Sequence, residues 1–146
     1  GKTAEAVARI EAINVDDLSE LDRALIANNR AYLNLRLGNH DRDVFEDIES
    51  AIEKIGPTIE LLDTRAMAAI ENDKFEDAVR DLNLATQFKP NTGRYHFHLA
   101  LAYKGSENRS AAKTAMETAK SIGFTQSVME PSEKSKYEKL QRWLEN

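Results

Sequence analysis

The sequence predicts an all-α chain: a row of antiparallel helical hairpins closed by a C-terminal helix. Two observations carry this. Residues 60–90, ELLDTRAMAAIENDKFEDAVRDLNLATQFKP, read as two short amphipathic helices joined by a tight turn at 71–74. Their marks then recur downstream, with Ala66 matched by Ala100, Ala78 by Ala112, Leu82 by Met116 and Ala85 by Ala119, each step 34 residues. Upstream the same marks fall at Ala31, Val44, Ile48 and Ala51, with a step of 35 from Ala31 to Ala66 and 34 for the others. The second observation is punctuation. The few helix breakers, Gly56 with Pro57, Pro90, Gly93 and Gly123, stand where helices of this pattern should end.

Taken in order, residues 3–15 are helical by the spacing of Ala6, Ile10 and Ile13. Those three lie 38 residues before Val44, Ile48 and Ala51. Residues 1–15 are therefore either the second helix of an earlier, truncated repeat or an ordinary capping helix, and the spacing leaves both open. From Asp16 or Asp17 a long helix through Leu18, Leu21, Leu25, Ala31 and Leu35 is expected to reach Gly38. Acidic residues at its start complement the helix dipole, and Gly38 with Asn39 is a good stop. Its partner is expected over 41–55, completing a first unit at 16–58.

The second unit, 59–92, has clean punctuation. Thr58 is the expected N-cap after Pro57, and Asp73 with Glu76 predicts a capping box at the second helix. Thr92 is the expected cap of the third unit, 93–126, whose helices part at 105–108 and whose second helix ends at Gly123. After a loop at 124–129, Glu130, Pro131 and Ser132 open a last helix over 130–146, with proline tolerated in its first turn. Tyr137, Leu140, Trp143 and Leu144 form its apolar stripe, and Lys134, Glu138, Lys139 and Arg142 its wet face. Trp143 is expected to pack as part of this cap, since a solenoid end needs a polar-backed cover.

Composition narrows the function. At 146 residues the chain is one domain by length. A net charge of −5, a pI near 5.3 and cations interspersed with acids lack the basic footprint of a nucleic-acid binder. Zero cysteines exclude disulfides, thiolate metal sites and a cysteine nucleophile. No apolar run approaches the roughly 20 residues of a membrane span, so no direct membrane insertion is expected, and no signal peptide is visible. A first residue of Gly1 rather than methionine reads as a piece of something longer. His96 and His98, two apart on a helix, point about 200° apart and cannot share one metal without unwinding. His40 reads as a solvated turn residue. No phosphate loop, nucleophile motif or acid–base couple stands out. No cofactor, no metal and no catalysis are expected.

The marks match a known signature. The third unit carries Leu99, Ala100 and Tyr103, then Ala112 and Met116; the second carries Leu62, Ala66, Phe75, Ala78, Leu82, Ala85 and Pro90. The first keeps Ala31, Ile48, Ala51 and Pro57 but has Asn34 in place of the first-helix aromatic and Val44 in place of the alanine. Over residues 24–126 the chain resembles the tetratricopeptide repeat. The resemblance implies a right-handed α-solenoid that binds a protein or peptide along a concave face built mainly from the first helices.

Projected onto this sequence, the family's groove positions fall on Asn28, Asn29, Tyr32, Leu35 and Arg36, then Asp63, Thr64, Met67, Ile70 and Glu71, then Arg94, Phe97, His98, Leu101 and Lys104. Asn29, Thr64 and His98 are equivalent and should form a polar row able to bond an extended backbone. Tyr32, Met67, Phe97 and Leu101 would line apolar pockets beside it; the alternative is that Tyr32, Met67 and Leu101 pack between neighbouring first helices. Chaperone-docking members of the family hold a C-terminal carboxylate with Lys and Asn, then Asn, then Lys and Arg. Here those positions hold Asn28, Tyr32, Thr64, Arg94 and His98, and only Arg94 is equivalent, so no such clamp is expected. Two functions follow from the resemblance. One is a non-catalytic interaction module with an open groove; the other is a structural or regulatory segment whose groove is filled in cis. Neither names the partner, the compartment or the oligomeric state.

Overall fold

Alanine and leucine at 3.6-residue spacing build helices throughout. In the computed structural model, which describes residues 2–38 and 42–146 with the side chains of Arg42 and Asp43 excepted, the chain is all-α, and no strand occurs among the described residues. The helices are α1 (Lys2–Glu11), α2 (Glu20–Leu37), α3 (Arg42–Ile55), α4 (Ile59–Glu71), α5 (Phe75–Phe88), α6 (Gly93–Gly105), α7 (Arg109–Ser121) and α8 (Pro131–Glu145). Neighbours in sequence pack on each other from α1 to α7. The hairpins are α2–α3, α4–α5 and α6–α7. Their first helices also touch in a row, α2 on α4 and α4 on α6, and α8 lies across α6 and α7.

The repeat marks are the core. Ala31, Ala66 and Ala100 are each fully buried, as are Ile48, Leu82, Ala78, Ala112, Ala85 and Ala119. Val44, Ala51 and Met116 complete the set and are buried too. A small residue at these points lets the two helices of a hairpin approach closely, and the larger residue four positions on fills the space so left. The first hairpin encloses its own cluster with Leu61 and Ala68 of the next. The second and third share one with Phe124, Met129, Tyr137 and Leu140.

A second repeated device joins the two helices of a hairpin. Arg30 on α2 grips Asp47 on α3 with two nitrogens, and Arg65 on α4 grips Asp81 on α5 the same way, at 2.7 Å for both contacts. Arg65 also reaches Glu49 of the preceding hairpin at 2.9 Å. Nearly buried Asp81 needs this fork, and the Arg65 guanidinium is held above its already high pKa chiefly by that bond. In the third hairpin the corresponding positions are Leu99 and Ala115, both buried, so an apolar contact replaces the ion pair.

Helix ends differ from expectation in three places. The first helix stops at Glu11, not Val15, because Asn14 turns its side-chain oxygen onto the Asp16 amide at 3.0 Å. The next begins at Glu20, not at Asp16 or Asp17. Ser19 caps it by accepting from the Asp22 amide, while Arg23 ties the carbonyls of Asp16 and Leu18. Asp73 caps nothing: at φ 57° it closes α4 in the left-handed region, and Lys74 occupies the N-cap position of α5 without a side-chain bond. Gly38 (φ 80°), Asp73 and Glu107 (φ 58°) stand at equivalent points, so each hairpin turns on one left-handed residue and only the first uses glycine. Thr58 caps α4 through the Leu61 amide, and Pro131 opens α8. Thr92 is the N-cap of α6 but makes no side-chain bond there. Asn39, His40 and Asp41 lie outside the described residues.

Candidate functional site

The row of first helices presents one face, and the side chains expected on it meet an occupant from the same chain. After α7 the backbone turns at Gly123 (φ 88°), Phe124 drops into the core, and the chain reaches Glu130 at the start of α8. Proline at the first helical position fixes the turn, and the Glu130 amide donates to Glu133 Oε2 at 2.7 Å. Residues 133, 137, 140 and 144 then fall on one side of α8 by their spacing of four, three and four. Tyr137 and Leu140 are buried and Leu144 is packed against the same core, so Glu133 is carried inward with them.

Three side chains spread the start of α8 over the three first helices. Glu130 reaches α2, accepting from the Tyr32 hydroxyl at 3.0 Å and pairing with Arg36 at 2.5 Å. Glu133 reaches α6, where Arg94 Nε lies 2.8 Å and His98 Nε2 3.7 Å from its Oε1. Lys136 reaches α4 and donates to Glu71. Beneath Glu133, the Nδ1–H of His98 donates to Asp63 Oδ1 at 2.7 Å, joining α6 to α4.

The electrostatics follow from this packing. Burial alone would lower the His98 pKa, but the Asp63 carboxylate beside it and Glu133 beyond push it up to about 9. The buried imidazole is therefore a cation at neutral pH. Burial works to raise Glu133, yet the His98 ring 3.7 Å away and the bond from the Glu130 amide, with Arg94 alongside, hold it below the usual carboxylate range. Tyr32 is pushed above its ordinary value by burial and by Glu130.

The expected face residues other than Asn29 divide into three groups. Tyr32, Leu35, Arg36, Met67, Glu71, Phe97 and His98 line an open cleft of about 250 Å³ whose far wall is Glu130, Ser132, Glu133 and Lys136. On the other side of the Tyr32–Glu130 bond, Asn28, Asp63, Thr64 and Arg94 line a wider cleft of about 540 Å³. Ile70, Leu101 and Lys104 border a third recess beside Phe75 and Lys136.

Several have their capacity already used. Thr64 gives its hydroxyl to the Glu60 carbonyl at 3.0 Å, and His98 is spent on Asp63. Of the polar row, Asn29 is exposed while Thr64 and His98 are buried. Phe97 is fully buried, its ring 5.3 Å from Phe124 and 6.1 Å from Tyr137, and Leu101 is in the same core. His96 points away from His98 and bonds the Pro90 carbonyl at 2.7 Å.

Reading by repeat position missed Glu130, Glu133 and Lys136, which lie outside the repeats. The available signal was Glu133, a carboxylate on an otherwise apolar stripe, which requires a buried cation to meet it.

No group of three acidic or histidine side chains able to hold a metal occurs among the described residues, and no described helix is long and apolar enough to cross a membrane. The chain matches no protein-family model and no curated protein.

Proposed function

We propose that the chain is a protein-interaction module of the tetratricopeptide type, without catalysis, that takes a segment of a partner protein on the face of α2, α4 and α6. On this reading the hairpins stack as a right-handed solenoid, that face is concave, and α8 is its cap. One observation carries it: an open cleft lined by first-helix side chains of all three hairpins, among them half-buried Tyr32, Leu35, Arg36, Met67 and Glu71. Apolar pockets with an aromatic and an arginine at the edge are where binding energy concentrates in protein interfaces.

Selection of a peptide library against the chain, followed by mapping of amide shifts, tests this. Shifts centred on Tyr32, Arg36, Met67 and the start of α8 support it. Hits that all map to the outer face of α3, α5 and α7 overturn it.

A second reading is favoured by the contacts of Glu130, Glu133 and Lys136. In it the face is filled in cis and the segment serves a structural or regulatory role. The two meet if α8 can be displaced.

A further inference from the structure

We propose that the face of α2, α4 and α6 is a receptor for an acidic helix N-terminal turn, that α8 supplies such a turn in cis, and that a partner helix opening on two carboxylates three residues apart takes its place. The inference rests on the interaction-module reading and names the chemistry of the partner.

Charge complementarity is the first support. Arg36, Arg94 and the Tyr32 hydroxyl, from two different helices, converge on only two carboxylates, Glu130 and Glu133. His98 adds positive charge beneath Glu133, pushed up to about 9 by Asp63 against the effect of burial.

The second support is how lightly the turn is held otherwise. Pro131, Ser132, Lys134 and Ser135 are exposed, so the first turn has no apolar anchor of its own. The apolar grip lies on either side of it, at Met129 before and at Tyr137 and Leu140 after. Between those anchors the turn's own hold on the face is its two carboxylates, so it can lift locally while Met129, Tyr137 and Leu140 stay docked.

Third, Tyr32 lines both open clefts, and its bond to Glu130, which lines the narrower one, holds its ring where they meet. Releasing that bond frees the side chain that the two clefts share.

The occupant must be helical. In a strand, residues three apart lie roughly 10 Å from each other on opposite faces. In the first turn of a helix they share a side, and here the Glu130 amide bond to Glu133 fixes their relation. A segment tethered in cis acts at an effective concentration in the millimolar range, so it masks the receptor from weak ligands until its carboxylates are weakened.

The experiment uses the full chain with Glu130→Gln and Glu133→Gln together, and the native chain beside it. The probe is an N-acetylated peptide of residues 128–139, with a control peptide in which both glutamates are glutamine. The readout is an amide-shift titration. The acidic peptide should bind the double variant about tenfold more tightly than the native chain, and about tenfold more tightly than the control peptide does. Its affinity should fall as salt is raised.

Equal binding of both peptides overturns carboxylate recognition and leaves the docking-face reading standing. No saturable shift with the double variant overturns the receptor itself, and the library selection then decides the docking face separately. Should the double variant fail to fold, Arg36→Gln with Arg94→Gln is the second test. Amide exchange over residues 132–136 should then quicken about tenfold while the hairpins stay protected, and unchanged exchange overturns the proposal.

Discussion

The imidazole of His98 joins α4, α6 and α8 through one buried ring, with Asp63 on one nitrogen and Glu133 facing the other. Its folded pKa, near 9, stands above the ordinary 6.5. A raised value contributes stability that is complete below 6.5 and is lost as pH climbs through 9, on the order of 3 kcal/mol across that window. Glu133 acts oppositely: its folded pKa is depressed, so its contribution holds above 4.5 and is lost as pH falls. Urea midpoints should therefore decline from pH 6.5 to 9, and His98→Gln should flatten that decline while lowering stability at pH 6. An NMR titration placing the His98 ring midpoint near 6.5 would contradict this. A second residue-scale constraint is steric. At Gly105 a Cβ would lie 2.1 Å from the Phe75 ring. Alanine, ordinarily worth about 1 kcal/mol over glycine inside a helix, should here cost about 1–3 kcal/mol through overpacking, read as a drop in urea midpoint.

At the scale of the element, the two ion-paired hairpins and the apolar third one are alternative solutions to the same packing problem. Arg65→Leu alone leaves Asp81 buried without its counter-charge and should cost about 3 kcal/mol. Adding Asp81→Ala copies Leu99 and Ala115 of the third hairpin and should recover most of the loss. Chemical denaturation of both single variants and the double measures the coupling; a double variant as unstable as the sum of the singles would show that the hairpins are not interchangeable. Elements were also the level most legible in the sequence. The burial of Ala31, Ala66 and Ala100 follows from small residues recurring at one spacing, and Thr58, Gly38 and Pro131 sit at ends for backbone reasons that each residue type declares. Asp73 misled because an aspartate before Glu76 satisfies the capping pattern in sequence. It lies one residue too early in space, where the chain needs a left-handed turn more than a cap. The Arg30–Asp47 and Arg65–Asp81 forks were overlooked because charged residues on amphipathic helices ordinarily decorate solvated faces.

For the whole molecule, the candidate site could not be read from repeat positions because its far wall comes from α8. Periodicity assigns Tyr137 and Leu140 to a cap, but only three-dimensional placement brings Glu130 to Tyr32, 98 positions away in sequence. One helix, α8, thus packs on the shared core and reaches across the face of the first helices, and its removal should have two separable effects. Deleting residues 130–146 removes Glu130 together with α8 and takes Tyr137 and Leu140 out of the core they share with Phe97 and Phe124. Burial of such side chains is worth about 1.5–3 kcal/mol each, so the melting temperature should fall by roughly 10 °C or more. Leu140→Ala, which keeps the first turn, should lose about 2–5 kcal/mol as a cavity yet leave Glu130 able to meet Arg36. The truncation alone should therefore shift the amides of Tyr32 and Arg36 on α2, a helix that shares no core cluster with Leu140. In a molecule coupled mainly through neighbouring repeats, a purely capping helix would leave α2 unchanged. A truncated chain with native shifts on α2 would thus reduce α8 to a cap, and a melting temperature that does not move would remove even that role.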